Sequence, residues 1–152
     1  MPSSDQGISS DRYSIIPRVL IFLTRGESVL LLKGAPTKRL WANKYNGIGG
    51  HVERGEDILT AARRELMEET GLSADLKLVG VVTVDAGDPG IGVGLYVFVG
   101  ESLASQPRPS EEGALEWLPA SELANRPLVE DVAILLAKIQ SMRPNDPPFS
   151  AH

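Results

Sequence analysis

The sequence predicts an α/β fold, a sandwich of helices around a mixed β-sheet, on three observations. Segments rich in β-branched residues mix with helical ones without a regular βαβ alternation. The stretch Asp57 to Thr70 contains neither Gly nor Pro and consists mainly of good helix formers. A second helical period, with apolar residues at Val132, Leu135, Leu136 and Ile139, lies toward the C-terminus.

Taken in order, Met1 to about Arg12 is polar and reads as a flexible tail, leaving residues 13–142 as one domain. Ile15 to Leu23 and Ser28 to Leu32 are strands, and Thr24-Arg25-Gly26-Glu27 between them is a turn signal, so the pair predicts a hairpin. A basic, turn-rich loop follows from Gly34 to Lys44, and Gly47-Ile48-Gly49-Gly50 permits a sharp bend or a close backbone approach. The helix over Asp57–Thr70 ends at Gly71, where a left-handed residue is needed. Leu76 to Val84 and Val93 to Val99 are strands joined by a turn over Asp85 to Gly92. Glu116-Trp117-Leu118 is a short strand, Pro119 to Leu123 begins a helical turn, and Leu128 to Met142 is an amphipathic helix. Arg143 to His152, rich in Pro and Ser, reads as a second flexible tail.

Composition narrows the function. With 152 residues, 42% hydrophobic and 23% charged, the chain suits one soluble domain. A net charge of −5 without long like-charge runs offers no electrostatic argument for nucleic acid or an anionic membrane. The absence of cysteine excludes disulfides, thiolate metal sites and cysteine nucleophiles. The opening Met-Pro-Ser-Ser-Asp-Gln-Gly lacks the basic start and apolar core of a signal peptide, and no apolar run could span a bilayer. A soluble, cytoplasmic protein is the expectation, with oligomeric state unreadable.

The informative chemistry lies on the first helix. At about 100° per residue, Ile58, Leu59, Ala62 and Leu66 form its apolar stripe. Glu65 and Glu69 fall about 20° to either side of Ile58, beside or inside that stripe, and Glu68 lies on the adjoining flank. A surface helix ordinarily sends such acids to the opposite side. Here Glu65 also repels Glu69 and Glu68, at about 0.2–0.5 kcal/mol a pair, and all three approach the helix end that disfavours anions. A hard divalent cation held by oxygen ligands would reverse both penalties. Glu56 adds a fourth carboxylate just ahead of the helix, and Arg64 offers a bidentate partner for one acid.

Gly50, Glu56 and the run Arg64-Glu65-Leu66-Met67-Glu68-Glu69-Thr70-Gly71-Leu72 match the Nudix box at every defined position, and the chain thereby resembles the Nudix hydrolases. That resemblance implies an α/β/α sandwich around a mixed sheet and a Mg²⁺ site, with Mn²⁺ an alternative. Glu65, Glu68 and Glu69 would bind the metal, the Gly49 carbonyl adding a ligand. It makes Glu56 and Arg64 a structural pair supporting the site beside Gly50. Glu112, upstream of Trp117, resembles the downstream acid that completes the metal site or acts as base in related triphosphatases, and Glu68 is the other candidate base.

Around the box the chain is similar to MutT-type 8-oxo-purine triphosphatases. Asn46 matches their base-reading Asn, and Glu130-Asp131 match their acidic pair before the final helix. An amide and a carboxylate can bracket a purine edge. Two aromatic positions differ: Tyr45 stands where those enzymes have a Trp, and Leu128 replaces the Trp that stacks on the base. His51 replaces a usual Lys. Among the basic residues, Lys33, Lys38, Arg39 and Lys44 are candidates to meet phosphates. The resemblance thus implies Mg²⁺-dependent hydrolysis of a nucleoside triphosphate, with an oxidised or other purine base, to monophosphate and pyrophosphate. The alternatives are an ADP-ribose or other nucleoside diphosphate-linked pyrophosphatase and, behind it, an inert nucleotide-binding regulatory domain.

Overall fold

A computed structural model describes residues 2–102, 106–108 and 111–152. Strands β1 (Ser14–Arg25) and β2 (Ser28–Gly34) form the expected hairpin, closed by Gly26 at a φ of 59°. Next come β3 (Tyr45–Asn46), β4 (Ile48–His51) and helix α1 (Ile58–Thr70). They are followed by β5 (Lys77–Asp88), β6 (Ile91–Glu101), β7 (Gly113–Pro119), α2 (Glu130–Gln140) and β8 (Phe149–Ala151). The sheet runs β3-β2-β1-β6-β5-β8, with β4 paired to β1 and β7 to β2. It is mixed because β1 runs parallel to β6 from Ser14↔Ile91 to Thr24↔Glu101, while its other edge pairs antiparallel.

The period-2 alternation of β1 sends its residues to two apolar layers. Val19, Ile21 and Leu23 face α1, packing with Ala61, Ala62 and Leu66. Leu20 and Phe22 face α2, packing with Val132, Leu135 and Leu136. Both helices therefore bury one stripe against opposite faces of one sheet, which is the predicted sandwich. Among the described residues, no helix is long and apolar enough to cross a membrane.

Helix α1 begins and ends where its capping residues place it. The Asp57 carboxylate accepts from the amides of Leu59 (3.0 Å) and Thr60 (2.9 Å), and Gly71, at a φ of 71°, donates back to the Met67 carbonyl.

Three boundaries differ from the sequence expectation. The long turn expected over Asp85–Gly92 shrinks to Pro89-Gly90, because Gly87 (φ 79°) lets a bulge carry β5 on to Asp88. Leu128 and Val129, expected in the final helix, are extended. The Tyr45 amide donates to the Pro127 carbonyl (2.8 Å) and the Val129 amide to the Tyr45 carbonyl (2.9 Å), which delays the helix to Glu130. The C-terminal segment, expected as a flexible tail, contributes β8, which pairs parallel to β5 from Gly80↔Phe149 to Val82↔Ala151. Gly80 makes this possible, since the Phe149 ring fills the space where any larger residue would place its Cβ.

Candidate active site

Arg64 organises the carboxylates. Its Nη2 and Nε donate to the two Glu56 oxygens (2.6 and 3.1 Å), a bidentate grip, and Nη2 also donates to the His51 carbonyl (3.0 Å). Glu56 accepts in addition from the Glu53 amide at 2.7 Å. One guanidinium thus ties the loop after β4 to the first turns of α1. The Arg64 bond holds the Glu56 carboxyl below the usual range, and Glu56 in turn raises the Arg64 guanidinium. The remaining nitrogen, Nη1, reaches Glu65 (2.9 Å) and Glu68 (3.4 Å).

Glu65 is mostly buried, with its side chain 13% exposed, while Glu68 is 59% exposed. Gly50 faces the Glu65 carboxylate so closely that a Cβ there would overlap it. The glycine is therefore required by the acid. Burial pushes the Glu65 carboxyl up and Arg64 opposes the shift.

Glu69 is one turn further on and has no cation partner of this quality. Its Oε2 is shielded from solvent and meets no hydrogen-bond donor among the described residues. Burial first, then the charges of Glu65 and Glu112, push its carboxyl up to about 7, with Lys38 pulling the other way. A buried carboxylate beside two others and without a donor is costly unless a cation or proton arrives. The donor set, all hard oxygen, suits Mg²⁺, and the orphaned oxygen together with the Gly50 opening fits such a group. Among the described residues no three acidic or imidazole side chains are already gathered as a cage, because Arg64 draws Glu65 and Glu68 to itself.

Glu69 borders a cleft of about 360 Å³. Glu112, Gly49, Asn46 and Asp131 border it too, as do Lys38 and Lys44 from the basic loop. Lys38 forms an ion pair with Glu112 at the cleft. Asn46 and Asp131, 85 positions apart in sequence, meet here because the Tyr45 hydrogen bonds clip the start of α2 to β3. The Asn46 side-chain oxygen accepts from the Gly47 amide (2.8 Å), which leaves its NH₂ as the group to present to a ligand.

Three candidates from the sequence are not brought to the cleft. Lys33 turns to the Tyr45 ring, its Nζ 5.8 Å from the centroid, and does not border the cleft. Glu130 is exposed at the head of α2, and Asp131 alone of the acidic pair borders the cavity. Arg39 is likewise exposed outside it.

Two residues bordering the cleft were not anticipated. Arg18 occupies an inward-facing position of β1 between Ile16 and Leu20, and that alternation was the available signal. Trp41 is held in the loop at a φ of 59°, uncommon for a bulky residue, and nothing in its sequence surroundings announces it.

The NUDIX domain model matches residues 15–139. The chain is 33% identical over 106 residues to the oxidized purine nucleoside triphosphate hydrolase of Mus musculus, a match covering 68% of this chain and 66% of that one. It is 32% identical over 123 residues to an isopentenyl-diphosphate Delta-isomerase of Nocardia farcinica, covering 76% of this chain and 69% of the relative. Among solved structures, the MutT protein of Bacillus halodurans superposes with a TM-score of 0.70 at 26% identity, over 85% of each chain.

Proposed function

The chain belongs to the NUDIX domain family, and from that premise we propose that it is a Mg²⁺-dependent hydrolase that converts a purine nucleoside triphosphate to its monophosphate and pyrophosphate. The observation that carries the reading is the orphaned Glu69 carboxylate, which opens into the same cleft as Asn46 and Asp131. On this reading one cleft serves both a site for a cation and a site for a base edge. The likeness to the mouse oxidized-purine enzyme supports the triphosphate class. The isomerase likeness supports only a diphosphate-bearing ligand.

Glu65, Glu68 and Glu69 would hold the metal, with the Gly49 carbonyl as a further ligand. When bound, Mg²⁺ neutralises phosphate oxygens and acidifies an attacking water. Arg64 keeps Glu65 oriented and, through Glu56, keeps the loop in register with the helix. Glu68, the most exposed of the three acids, takes the proton from the water. The water oxygen bonds to phosphorus, the bridging oxygen between the α and β phosphates leaves with the electron pair, and pyrophosphate departs. Lys38 and Lys44 border the cleft and would meet the phosphates, and Lys38 also pairs with Glu112. Asn46 and Asp131 orient the base.

The test is a phosphate-release screen of a nucleotide panel with Mg²⁺, coupled to pyrophosphatase. Triphosphates should exceed ADP-ribose and sugar nucleotides in kcat/KM. The reverse order would overturn the pocket assignment while leaving family membership intact.

A further inference from the structure

Arg18 borders the cleft, and no acid among the described residues pairs with it. Its cross-strand neighbours are Leu95 on β6 and His51 on β4, so neither flanking strand opposes it with an acid. The floor beyond it on the same face is aliphatic, formed by Val84, Val93 and Leu95. Its Nε is shielded from solvent and meets no acceptor, and none of the ion pairs among the described residues engages it. Buried donors are almost always satisfied, so a guanidinium that lacks an acceptor and borders a cavity marks a place for one.

What acceptor the cleft expects follows from its other polar groups. Asn46 presents its NH₂, a donor, because its oxygen is committed to the Gly47 amide. Asp131 supplies an acceptor. Placed opposite C6 of a purine, an arginine donor is answered by a carbonyl oxygen and not by an amino group, which offers it no acceptor.

We infer that Arg18 is a specificity-determining residue, donating from its guanidinium to a carbonyl oxygen of a 6-oxopurine base lodged in the cleft beside Asn46 and Asp131. The inference rests on the proposed nucleotide site and adds the group that selects the base. Arginine is suited to this because its planar fork stays charged when desolvated and matches neighbouring acceptors on a purine.

The experiment compares GTP, ITP and ATP as substrates for the wild type, Arg18→Met, Arg18→Lys, Asn46→Ala and Asp131→Ala, with GMP and AMP binding measured by calorimetry without metal. ITP keeps the 6-oxo group and lacks the 2-amino group, which separates Arg18 from Asp131. Losing a charge-assisted hydrogen bond should weaken binding by about tenfold or more. The expected result for Arg18→Met is that loss in KM for GTP and ITP and in GMP affinity, with ATP and AMP affected much less. Arg18→Lys should fall between. Equal loss across all bases, or no loss, overturns the inference. If Arg18→Met fails to fold, the Arg18→Lys base ratios decide alone. Unchanged base preference in Arg18, Asn46 and Asp131 variants together means the base lies elsewhere. A changed preference in the Asn46 and Asp131 variants alone removes only Arg18.

Discussion

Gly50 on β4 and Glu65 on α1 are in such close contact that a methyl group at position 50 would come within 2.8 Å of the Glu65 Oε2 and nearer still to Oε1. The strand and the helix are therefore joined at the site by the lack of a side chain. Gly50→Ala should displace the carboxylate and leave the core on either side intact. Groups that orient metal ligands typically matter by about 10–100-fold in affinity or activity. The expected outcome is a Mg²⁺ activation curve shifted to higher concentration by about that factor, with melting changed little. An unshifted curve would show that Glu65 does not contribute to the metal site.

Glu69 gives a prediction with an unusual sign. Its carboxyl is raised to about 7, chiefly by burial, against an ordinary value near 4.5. The native state thus holds this proton more tightly than the unfolded chain does. Its stabilising contribution is complete below pH 4.5 and is lost as pH rises through about 7. Metal-free protein should accordingly lose Tm between pH 5 and 8, and added Mg²⁺ should restore more Tm at pH 8 than at pH 5. Glu69→Gln should raise the metal-free Tm at pH 8, remove most of the pH slope, and lower turnover by several orders of magnitude. Thermal melts across pH with and without Mg²⁺ decide it, and a variant as pH-sensitive as the wild type would sink the assignment.

The parts of this site that were legible in sequence are local ones. Asp57, Gly71 and the helix formers between them specify α1, and at 3.6 residues per turn that alone places Glu65 and Glu69 at the edge of the apolar stripe. What escaped depends on distant partners. The strand Phe149–Ala151 sits in a Pro- and Ser-rich segment, and only Gly80 across the sheet makes room for it. Leu128 and Val129 fit a helical period, yet hydrogen bonds to Tyr45 hold them extended. Trp41 carries no periodic signal because its place is fixed by loop geometry: Gly34 packs against the Trp41 carbonyl, and the Lys44 amide donates to it at 3.0 Å. Arg18 was legible in principle, as a charge at an inward position of an otherwise apolar strand face.

Arg64→Ala should affect stability and rate together. The substitution leaves Glu56, Glu65 and Glu68 without their shared cation and frees the loop from the His51 carbonyl. A lowered Tm by several degrees is expected, with part of the loss recovered by Mg²⁺. Arg64→Lys should recover little, since an ammonium cannot reproduce the two-nitrogen grip on Glu56. Unchanged melting and unchanged kinetics in Arg64→Ala would reduce the residue to a surface charge.

Trp41 and the pair Asn46–Asp131 should separate two kinds of base contact. Stacking on an aromatic face tolerates any base and is worth about 1–3 kcal/mol per base. Hydrogen bonds to the edge discriminate, because a wrong base leaves shielded polar groups unmatched. Trp41 is 44% exposed at the mouth of the cleft, placed to cover a ring that enters it. Trp41→Ala should therefore raise KM for every triphosphate by a similar factor, about 5–150-fold, and Trp41→Phe should restore most of the loss. Asn46→Ala and Asp131→Ala should instead compress the spread of kcat/KM among bases while leaving the Mg²⁺ requirement untouched. Steady-state kinetics over one purine and pyrimidine panel measures both effects. A Trp41→Ala variant that changes base preference, with Asn46 and Asp131 variants that do not, would reverse the assignment of the two contacts.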